Sequence, residues 1–205
     1  MKKIIIAIDS FKGCLTSAEA GKAAEKGIKS INPSCHTSVI PIADGGEGLL
    51  DVLITATKGK YITLSAHGPL MKMAKTHYGL SGNGRTAIIE MAAISGLPLV
   101  PIEQRNPMLT TTFGTGELIK DALNKGCRNF IIGIGGSATN DAGLGMLQAL
   151  GFRFLDKSGH TLGTGGQIME AVANIDTSGI HPALRETHFM VACDVANPFY
   201  GPDGA

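Results

Sequence analysis

The sequence predicts an α/β fold in which strands and helices alternate and an antiparallel meander is inserted. Three observations predict it. Short β-branched runs end at loops rich in Gly and Asp, and a helical pattern follows each of them. The stretch 61–91 instead holds shorter strand-like segments separated by turns that contain Gly. Glycine, at 28 of 205 residues, has about twice its usual share of ~7%, so we expect loops that approach a neighbour or a ligand closely.

The first two strand–loop–helix units share a layout. Residues 4–8 are a β-branched run without alternation, which is typical of a parallel strand buried on both faces. Both loops carry an Asp where the strand ends. The predicted elements are a strand over 4–8, a helix capped by Thr16 or Ser17 and running to about Ile31, a strand over 37–42 and a helix from 49 to about 59.

The rest of the chain predicts the meander and further strand–helix units. The strand carboxyl ends carry the polar loops, as in open α/β sheets. We expect an N-terminal α/β domain over 1–62 and a second over 63–205, with the Pro-bearing stretch 98–107 as another candidate boundary. The predicted elements are strands over 61–66, 73–80 and 85–90, a helix that opens within 110–116, a strand over 129–134, a helix over 141–150, and strands over 152–155 and 188–193.

Charge and apolar patterning exclude several classes of function. The 18 Lys and Arg residues and 17 Asp and Glu residues give a net charge of +1, and no block of like charge occurs. A nucleic-acid partner or an anionic membrane surface is therefore not expected. No apolar run approaches the ~18–20 residues that cross a bilayer. The four cysteines lie far apart, with neither zinc-site nor disulfide-framework spacing, which favours the reducing cytoplasm.

The segment 133–143 is the strongest candidate for a binding loop. A Gly-rich turn between a buried strand and a helix leaves backbone amides that bind anions. Ser137, Thr139 and Asn140 add donors, and an oxygen of Asp141 is suited to Mg²⁺. Helix capping is the structural alternative for these side chains. The Gly133-x-Gly135 pattern also resembles part of a dinucleotide fingerprint, but no strand with a terminal acid follows at the distance that an NAD-dependent oxidoreductase needs.

Three further loops place acids at strand ends. In Asp9-Ser10-Phe11-Lys12-Gly13, Lys12 is suited to a phosphate or a carboxylate, and a solvated surface turn is the alternative. Asp44 and Glu47 lie in a Gly-rich loop suited to a magnesium ion or a substrate hydroxyl, unless Asp44 only caps the next helix. Asp194, before Asn197-Pro198, is a candidate to handle a hydroxyl proton in phosphoryl transfer, or else a turn cap.

Taken in order, six segments identify a family. In order and spacing they resemble the type-1 glycerate kinase family over the whole chain. Family members usually have Gly where Ala142 stands, and they are much longer than this chain. The segments are Asp9-Ser10-Phe11-Lys12-Gly13, Ala43-Asp44-Gly45-Gly46-Glu47-Gly48, Glu90-Met91-Ala92, Thr110-Thr111-Thr112 to Gly116-Glu117, Gly133 to Asp141, and Cys193-Asp194-Val195-x-Asn197-Pro198.

The resemblance implies ATP-dependent phosphorylation of D-glycerate, with the 2-phosphate favoured over the 3-phosphate, in a cleft between two α/β domains, one of them flavodoxin-like. We expect ATP and Mg²⁺ as cofactors, and weak or no activity from these 205 residues alone, because the chain resembles the N-terminal portion of the family. The alternative is a non-catalytic nucleotide-binding or organic-acid-binding fragment. The oligomeric state stays open.

Each candidate residue is assigned one role in this hypothesis. Asp194 and Lys12 are the expected catalytic residues, and Asp141 is the expected metal ligand. The expected substrate-binding residues are Ser10, Asp44, Glu47 and Asn197. The expected nucleotide-binding residues are Gly135, Gly136, Ser137, Thr139 and Asn140.

Overall fold

The computed structural model describes residues 3–11, 13–193, 196 and 201–202. Their strands form a two-stranded parallel sheet, a five-stranded mixed sheet and a two-stranded antiparallel sheet, which confirms the mixed α/β class. The helices are α1 (Ser17–Ile31), α2 (Leu49–Thr57), α3 (Ala92–Ser95), α4 (Phe113–Asn124) and α5 (Leu144–Ala149). The strands are β1 (Lys3–Ile6), β2 (His36–Val39), β3 (Lys60–His67), β4 (Met73–Leu80), β5 (Thr86–Glu90), β6 (Asn129–Gly133), β7 (Arg153–Leu155), β8 (Asn174–Asp176) and β9 (His188–Ala192).

The N-terminal unit has the predicted strand–helix–strand order. β1 pairs in parallel with β2, and α1 connects them. Thr16 caps α1 through a capping box with Glu19, so the predicted start of this helix is confirmed. The expectation that the first strand is buried on both faces is wrong, because Ile5 in its middle is 61% exposed. Helix α1 packs on one face of this two-stranded sheet. The Ile5 side chain points to the opposite face, which is exposed.

The five-stranded sheet has the order β3-β4-β5-β6-β9. β3, β4 and β5 form the predicted antiparallel meander, whereas β5, β6 and β9 run parallel. Successive side chains of a strand point to opposite faces. Ile88 packs with Leu50 and Ile54 of α2, while its neighbours Ala87 and Ile89 belong to the main core. The sheet is therefore covered by helices on both faces.

The main core lies between this sheet and α4. Leu118 and Ile119 of α4 are fully buried against Phe130 of β6 and Tyr78 of β4. The Tyr78 hydroxyl donates to Asp121 at 2.8 Å. Burial and this hydrogen bond both raise the pKa of Tyr78, so the phenol stays neutral in the core.

The predicted domain boundary at 62/63 falls inside a strand. β3 begins at Lys60, and α2, which the prediction assigns to the first domain, packs on the five-stranded sheet. The division into two domains stays a prediction. The parallel β1–β2 sheet shares no strand pairing with the five-stranded sheet.

The segment after α5 forms a small hairpin-like extension. β7 pairs with β8, a strand that the sequence analysis missed because its three residues carry no alternation signal. Asp156 accepts from the amides of Ser158 and His160 and makes a turn after β7. None of the helices in the described ranges is both long enough and apolar enough to pass through a bilayer.

The carboxyl ends of the parallel strands meet at one edge of the five-stranded sheet. Glu90 at the end of β5 pairs in register with Gly133 of β6, and Gly133 pairs with Ala192 of β9. The loops that follow these three strands therefore begin side by side. In an open α/β sheet this edge is where ligands bind.

Candidate functional site

Two neighbouring cavities open at this edge of the sheet. Cavity A, about 500 Å³, lies between α2 on one side and residues 10–11, 13–16 and the start of α1 on the other. Cavity B, about 690 Å³, lies between the loop 44–47 and the Gly-rich loop 134–136. Three side chains line both cavities: Glu47, His77 and Glu90. We therefore describe A and B together as the cleft.

The two loops that face each other in the cleft touch through their backbones. A Cβ added to Gly133 would lie 2.5 Å from the carbonyl oxygen of Gly45, and one added to Gly135 would lie 2.8 Å from Gly46 Cα. Neither distance is possible for a real side chain without a backbone shift. Close loop packing therefore explains the Gly133-x-Gly135 pattern, which the sequence analysis had compared with a dinucleotide fingerprint.

Three consecutive amides of the Gly-rich loop have no acceptor in the described part of the chain: those of Gly135, Gly136 and Ser137. The loop is nevertheless held firmly, because Gly136 O accepts from Leu97 N at 3.0 Å and Ala138 N donates to Ser95 O at 2.9 Å. Gly136 has a φ of 75°, a left-handed conformation that glycine adopts without strain. Unpaired successive amides of this kind bind anions.

Ser137 and Thr139 do not face cavity B. They line a separate cavity, cavity C, of about 280 Å³. Their hydroxyl oxygens are 2.7 Å apart, and the Thr139 amide donates to Ser137 Oγ at 3.1 Å. Asn140 is exposed and lines none of cavities A, B and C. Of the five residues predicted to bind the nucleotide, Gly135 and Gly136 thus line cavity B, Ser137 and Thr139 line cavity C, and Asn140 lines neither.

Asp141 is buried at the junction of two helices, with 1% of its surface exposed. Its carboxylate accepts from the Thr112 amide at 2.8 Å, just before α4, and from the amides of Gly143 and Gly145 at the start of α5. The Thr111 and Thr112 hydroxyls also donate to it. This geometry favours the capping alternative. The metal role of Asp141 stays a prediction that the proposal below does not use.

The same carboxylate occupies the N-terminus of α4. Thr110, Thr111 and Thr112 are all buried, and Thr110 Oγ1 donates to Ala138 O at 2.8 Å. The positive end of α4 is therefore neutralised from within the protein. Beside this network, Ala142 has a φ of 49°, which explains why glycine is usual at this position in the family that the sequence resembles.

Glu90 is the principal site residue that the sequence analysis did not assign. Glu90 Oε1 accepts from the Leu50 amide at 2.8 Å, and α2 has no side-chain cap of its own. Asp44, the cap that the sequence suggested, instead accepts from Gly46 N at 2.8 Å within its own loop. Glu90 therefore fixes the helix that follows the loop 44–48. Its position at a strand end, like that of Asp44, is the signal that could have identified it.

The electrostatics of the cleft set Glu90 apart from an exposed acid. Burial raises the pKa of Glu90 above its ordinary value, with a further increase from Asp51, while the amides of Leu50 and Gly48 and the nearby His77 oppose the shift. Asp51 also accepts from the Tyr61 hydroxyl at 2.5 Å, which raises the pKa of Tyr61 to about 12. The Tyr61 ring contacts His77 edge to face at 5.6 Å between ring centroids and holds the imidazole at the cleft wall.

We expect Glu90→Gln to change the pH dependence of stability. A raised pKa in the folded state means that the favourable contribution of Glu90 is complete below its unfolded pKa of about 4.3 and is lost as the pH rises through the folded pKa. Glutamine keeps an oxygen for the Leu50 amide and carries no charge. As the pH rises above about 4, the free energy of unfolding of the variant should therefore increase relative to that of the wild type.

Urea unfolding at several pH values measures this difference. Glu103→Gln is the matched control, because Glu103 is an exposed acid on the short turn at Ile102–Gln104. The Glu103→Gln curve should run parallel to that of the wild type. A Glu90→Gln curve that is also parallel would show that burial does not disfavour the Glu90 carboxylate.

The other predicted site residues have these locations. Ser10 lines cavity A, Asp44 lines cavity B and Glu47 lines both. Gly135 and Gly136 line cavity B. The structure thus brings predicted residues from three distant loops of the sequence to one cleft. Three predicted residues lie outside the described residues: Lys12, Asp194 and Asn197.

Comparison with known proteins identifies the family. The model of the glycerate kinase family matches residues 4–205. The chain is 54% identical over 203 residues to a glycerate kinase of Bacillus subtilis and 49% identical over 203 residues to glycerate 2-kinase of Escherichia coli. Each alignment covers 99% of this chain and 53% of the relative. The chain therefore spans about half the length of the curated relatives that it matches.

A solved structure agrees with the sequence comparison. A crystal structure from Salmonella typhimurium LT2, provisionally described as glycerate kinase 2, superposes with a TM-score of 0.87 at 48% sequence identity. It covers 100% of this chain, which corresponds to 55% of the Salmonella chain. The predicted resemblance is thus confirmed both in sequence and in fold: the chain belongs to the glycerate kinase family.

Proposed function

We propose that the chain carries the phosphoryl-transfer cleft of an ATP-dependent kinase that phosphorylates D-glycerate. The observation that carries the proposal is the arrangement of cavity B, in which Asp44 and Glu47 line one side and Gly135 and Gly136 the other. Acids that orient a hydroxyl and amides that stabilise phosphate oxygens are the two requirements of phosphoryl transfer, which depends mainly on positioning and electrostatics. We propose the 2-hydroxyl as the acceptor, in line with the name of the Escherichia coli relative.

The free amides of Gly135 and Gly136, which line cavity B, are suited to the oxygens of a transferring phosphoryl group. Their positions are fixed by the hydrogen bonds of the loop to Ser95 and Leu97, so little ordering cost arises when an anion binds. Glu47 is exposed and accepts no hydrogen bond from the described residues, which leaves its carboxylate available to a ligand.

Magnesium fits the exposed acids better than the buried one. Mg²⁺ usually binds one or two carboxylates together with substrate phosphates and keeps several waters. Asp44 and Glu47 in the cleft meet this description, whereas both oxygens of Asp141 already accept hydrogen bonds. A bound Mg²⁺ neutralises charge on the nucleotide phosphates. Within the described residues no three His, Cys, Asp or Glu side chains are grouped as metal ligands.

The remaining roles follow the sequence hypothesis. Asp194 is proposed to orient the glycerate hydroxyl and accept its proton, with Lys12 as the cation for the substrate's negative charge, and Ser10 and Asn197 as further contacts to glycerate. Chain order makes Asp194 the neighbour of Cys193, which lines cavity B. The cytoplasm, where ATP and reduced cysteines coexist, is the proposed location.

We expect Glu47→Gln to lower kcat by about a hundredfold, because a misoriented acceptor hydroxyl costs roughly that factor. The assay measures ADP formed from ATP, Mg²⁺ and D-glycerate. It is run on the 205-residue chain and on a hybrid in which the chain replaces the matching 203 residues of the Bacillus subtilis relative. Phosphorus NMR of the product distinguishes the 2-phosphate from the 3-phosphate.

Glu170→Gln is the control, since Glu170 is also an exposed acid, lies in the Gly166–Ala171 turn and lines neither cavity of the cleft. The hybrid with this change should keep full activity. If the hybrid folds and is protected by ATP in a thermal melt but forms no ADP, the non-catalytic binding alternative replaces the kinase. If Glu47→Gln leaves kcat unchanged, Glu47 has no part in the reaction.

A further inference from the structure

Cavity C brings an arginine to the Gly-rich loop from a distant part of the sequence. Arg105 lines this cavity of about 280 Å³ together with Ser137 and Thr139. Cavities B and C share no lining residue, so the loop separates them. The sequence alone offers no reason to relate Arg105 to this loop, because 31 residues lie between Arg105 and Ser137.

The backbone holds Arg105 at the mouth of cavity C. Arg105 follows the short turn Ile102–Gln104, and its amide donates to Ile102 O at 3.3 Å. Its Nε donates to Val100 O at 3.3 Å. This bond anchors the side chain and leaves both terminal guanidinium nitrogens without an acceptor or a carboxylate partner in the described part of the chain. The positive charge is therefore not neutralised by the protein there.

The other polar groups of the cavity are also donors. Asn106 Oδ1 accepts from the Met108 amide at 3.0 Å, so the remaining group of this side chain is its NH₂. Ser137 Oγ and Thr139 Oγ1 bond to each other at 2.7 Å, and one hydroxyl proton of the pair is left for a ligand. No Asp or Glu lines the cavity. A guanidinium, an amide NH₂ and a hydroxyl without a neighbouring acid are suited to an oxyanion.

The loop that presents these donors is preorganised. Ala138 lies between the two hydroxyl residues and is fixed from both sides, since its amide donates to Ser95 O and its carbonyl accepts from Thr110 Oγ1. Thr110 is fully buried. Donors on such a fixed segment bind an anion without a large loss of conformational entropy.

We propose that cavity C is a second phosphate subsite, in which Arg105, Asn106, Ser137 and Thr139 bind a phosphate group of the nucleotide other than the one transferred in the cleft. This inference rests on the proposed function, since the nucleotide is its ligand. The Gly-rich loop then contacts two phosphates of one ligand, with backbone amides on the side of cavity B and with side chains on the side of cavity C.

Binding of sodium tripolyphosphate to the 205-residue chain, measured by isothermal titration calorimetry, tests the subsite without requiring turnover. Arg105→Met should weaken binding by about ten- to hundredfold, as expected for the loss of charge-assisted hydrogen bonds. Arg105→Lys should restore part of the loss, and Ser137→Ala should weaken binding by a smaller factor. Higher salt should reduce the difference between the wild type and Arg105→Met.

Arg85→Met is the matched control, because Arg85 is an exposed arginine that forms no ion pair in the described ranges. It should bind tripolyphosphate like the wild type. Unchanged affinity in both Arg105→Met and Ser137→Ala, or no binding by the wild type, would overturn the subsite. The Ser137→Ala variant decides the question if Arg105→Met does not fold.

Two further measurements separate the subsite from the proposed function. Competition by 2-phosphoglycerate rather than by ADP would assign cavity C to the product phosphate and overturn the nucleotide assignment. Tripolyphosphate binding that depends on Arg105, in a hybrid enzyme that forms no ADP, would support cavity C and reject the kinase proposal. If instead the hybrid is active and Arg105→Met leaves its KM for ATP unchanged, the result would support the kinase proposal and reject the subsite in cavity C.

Discussion

Asp141→Ala is expected to lower the free energy of unfolding by about 3–5 kcal/mol. The carboxylate is buried and accepts hydrogen bonds from three backbone amides and two threonine hydroxyls. Alanine leaves these donors without an acceptor at the starts of α4 and α5, where water cannot replace it without opening the structure. Such buried unpaired groups each cost about 1–3 kcal/mol.

Urea unfolding of the 205-residue chain measures this loss. Asp156→Ala is the control, because Asp156 also accepts from two backbone amides, but in an exposed turn where water can take its place. Its effect should be much smaller. If Asp141→Ala lost no more stability than Asp156→Ala, the buried network would contribute nothing beyond an ordinary turn.

Gly114→Ala is expected to destabilise the protein by about 3 kcal/mol or more. Gly114 lies in the first turn of α4, and an added Cβ would be 1.9 Å from His67 O and 2.7 Å from Ile94 Cγ1. The first of these atoms belongs to the backbone of β3, so it cannot rotate away. The helix must move off the sheet, which opens the main core beside it.

Gly27→Ala is the control, and its expected effect on the free energy of unfolding has the opposite sign. Gly27 lies inside α1, and an added Cβ there meets no atom within 4 Å. The substitution should stabilise the protein by up to about 1 kcal/mol, since alanine favours the helix over glycine. Thermal unfolding of both variants gives the comparison. Equal melting temperatures would show that α4 does not depend on its close approach to β3.

The sequence predicted those elements whose signals are local. The capping box at Thr16 lies within four residues, and the start of α1 was predicted correctly. The helix predicted over 141–150 was too long, because α5 begins only at Leu144. Asp141 turns inward to reach Thr112, a partner 29 residues away. A contact of that range leaves no trace in the periodicity of the segment.

In the candidate site, too, residues with a local sequence signal were predicted and residues placed by long-range contacts were not. Asp44, Glu47 and the Gly-rich loop were identified because Gly and acidic residues stand together in the sequence. Glu90 caps a helix 40 residues away, and Arg105 shares a cavity with Ser137 through a turn that has no regular pattern. Both depend on tertiary packing, so the sequence could indicate at most that an acid ends β5.

The absence of side chains where the loop 44–48 meets the Gly-rich loop has a mechanical consequence. At Gly45 against Gly133 and at Gly46 against Gly135, the two segments pack backbone to backbone. The acidic side and the amide side of cavity B are therefore joined backbone to backbone, and moving them apart would break this packing.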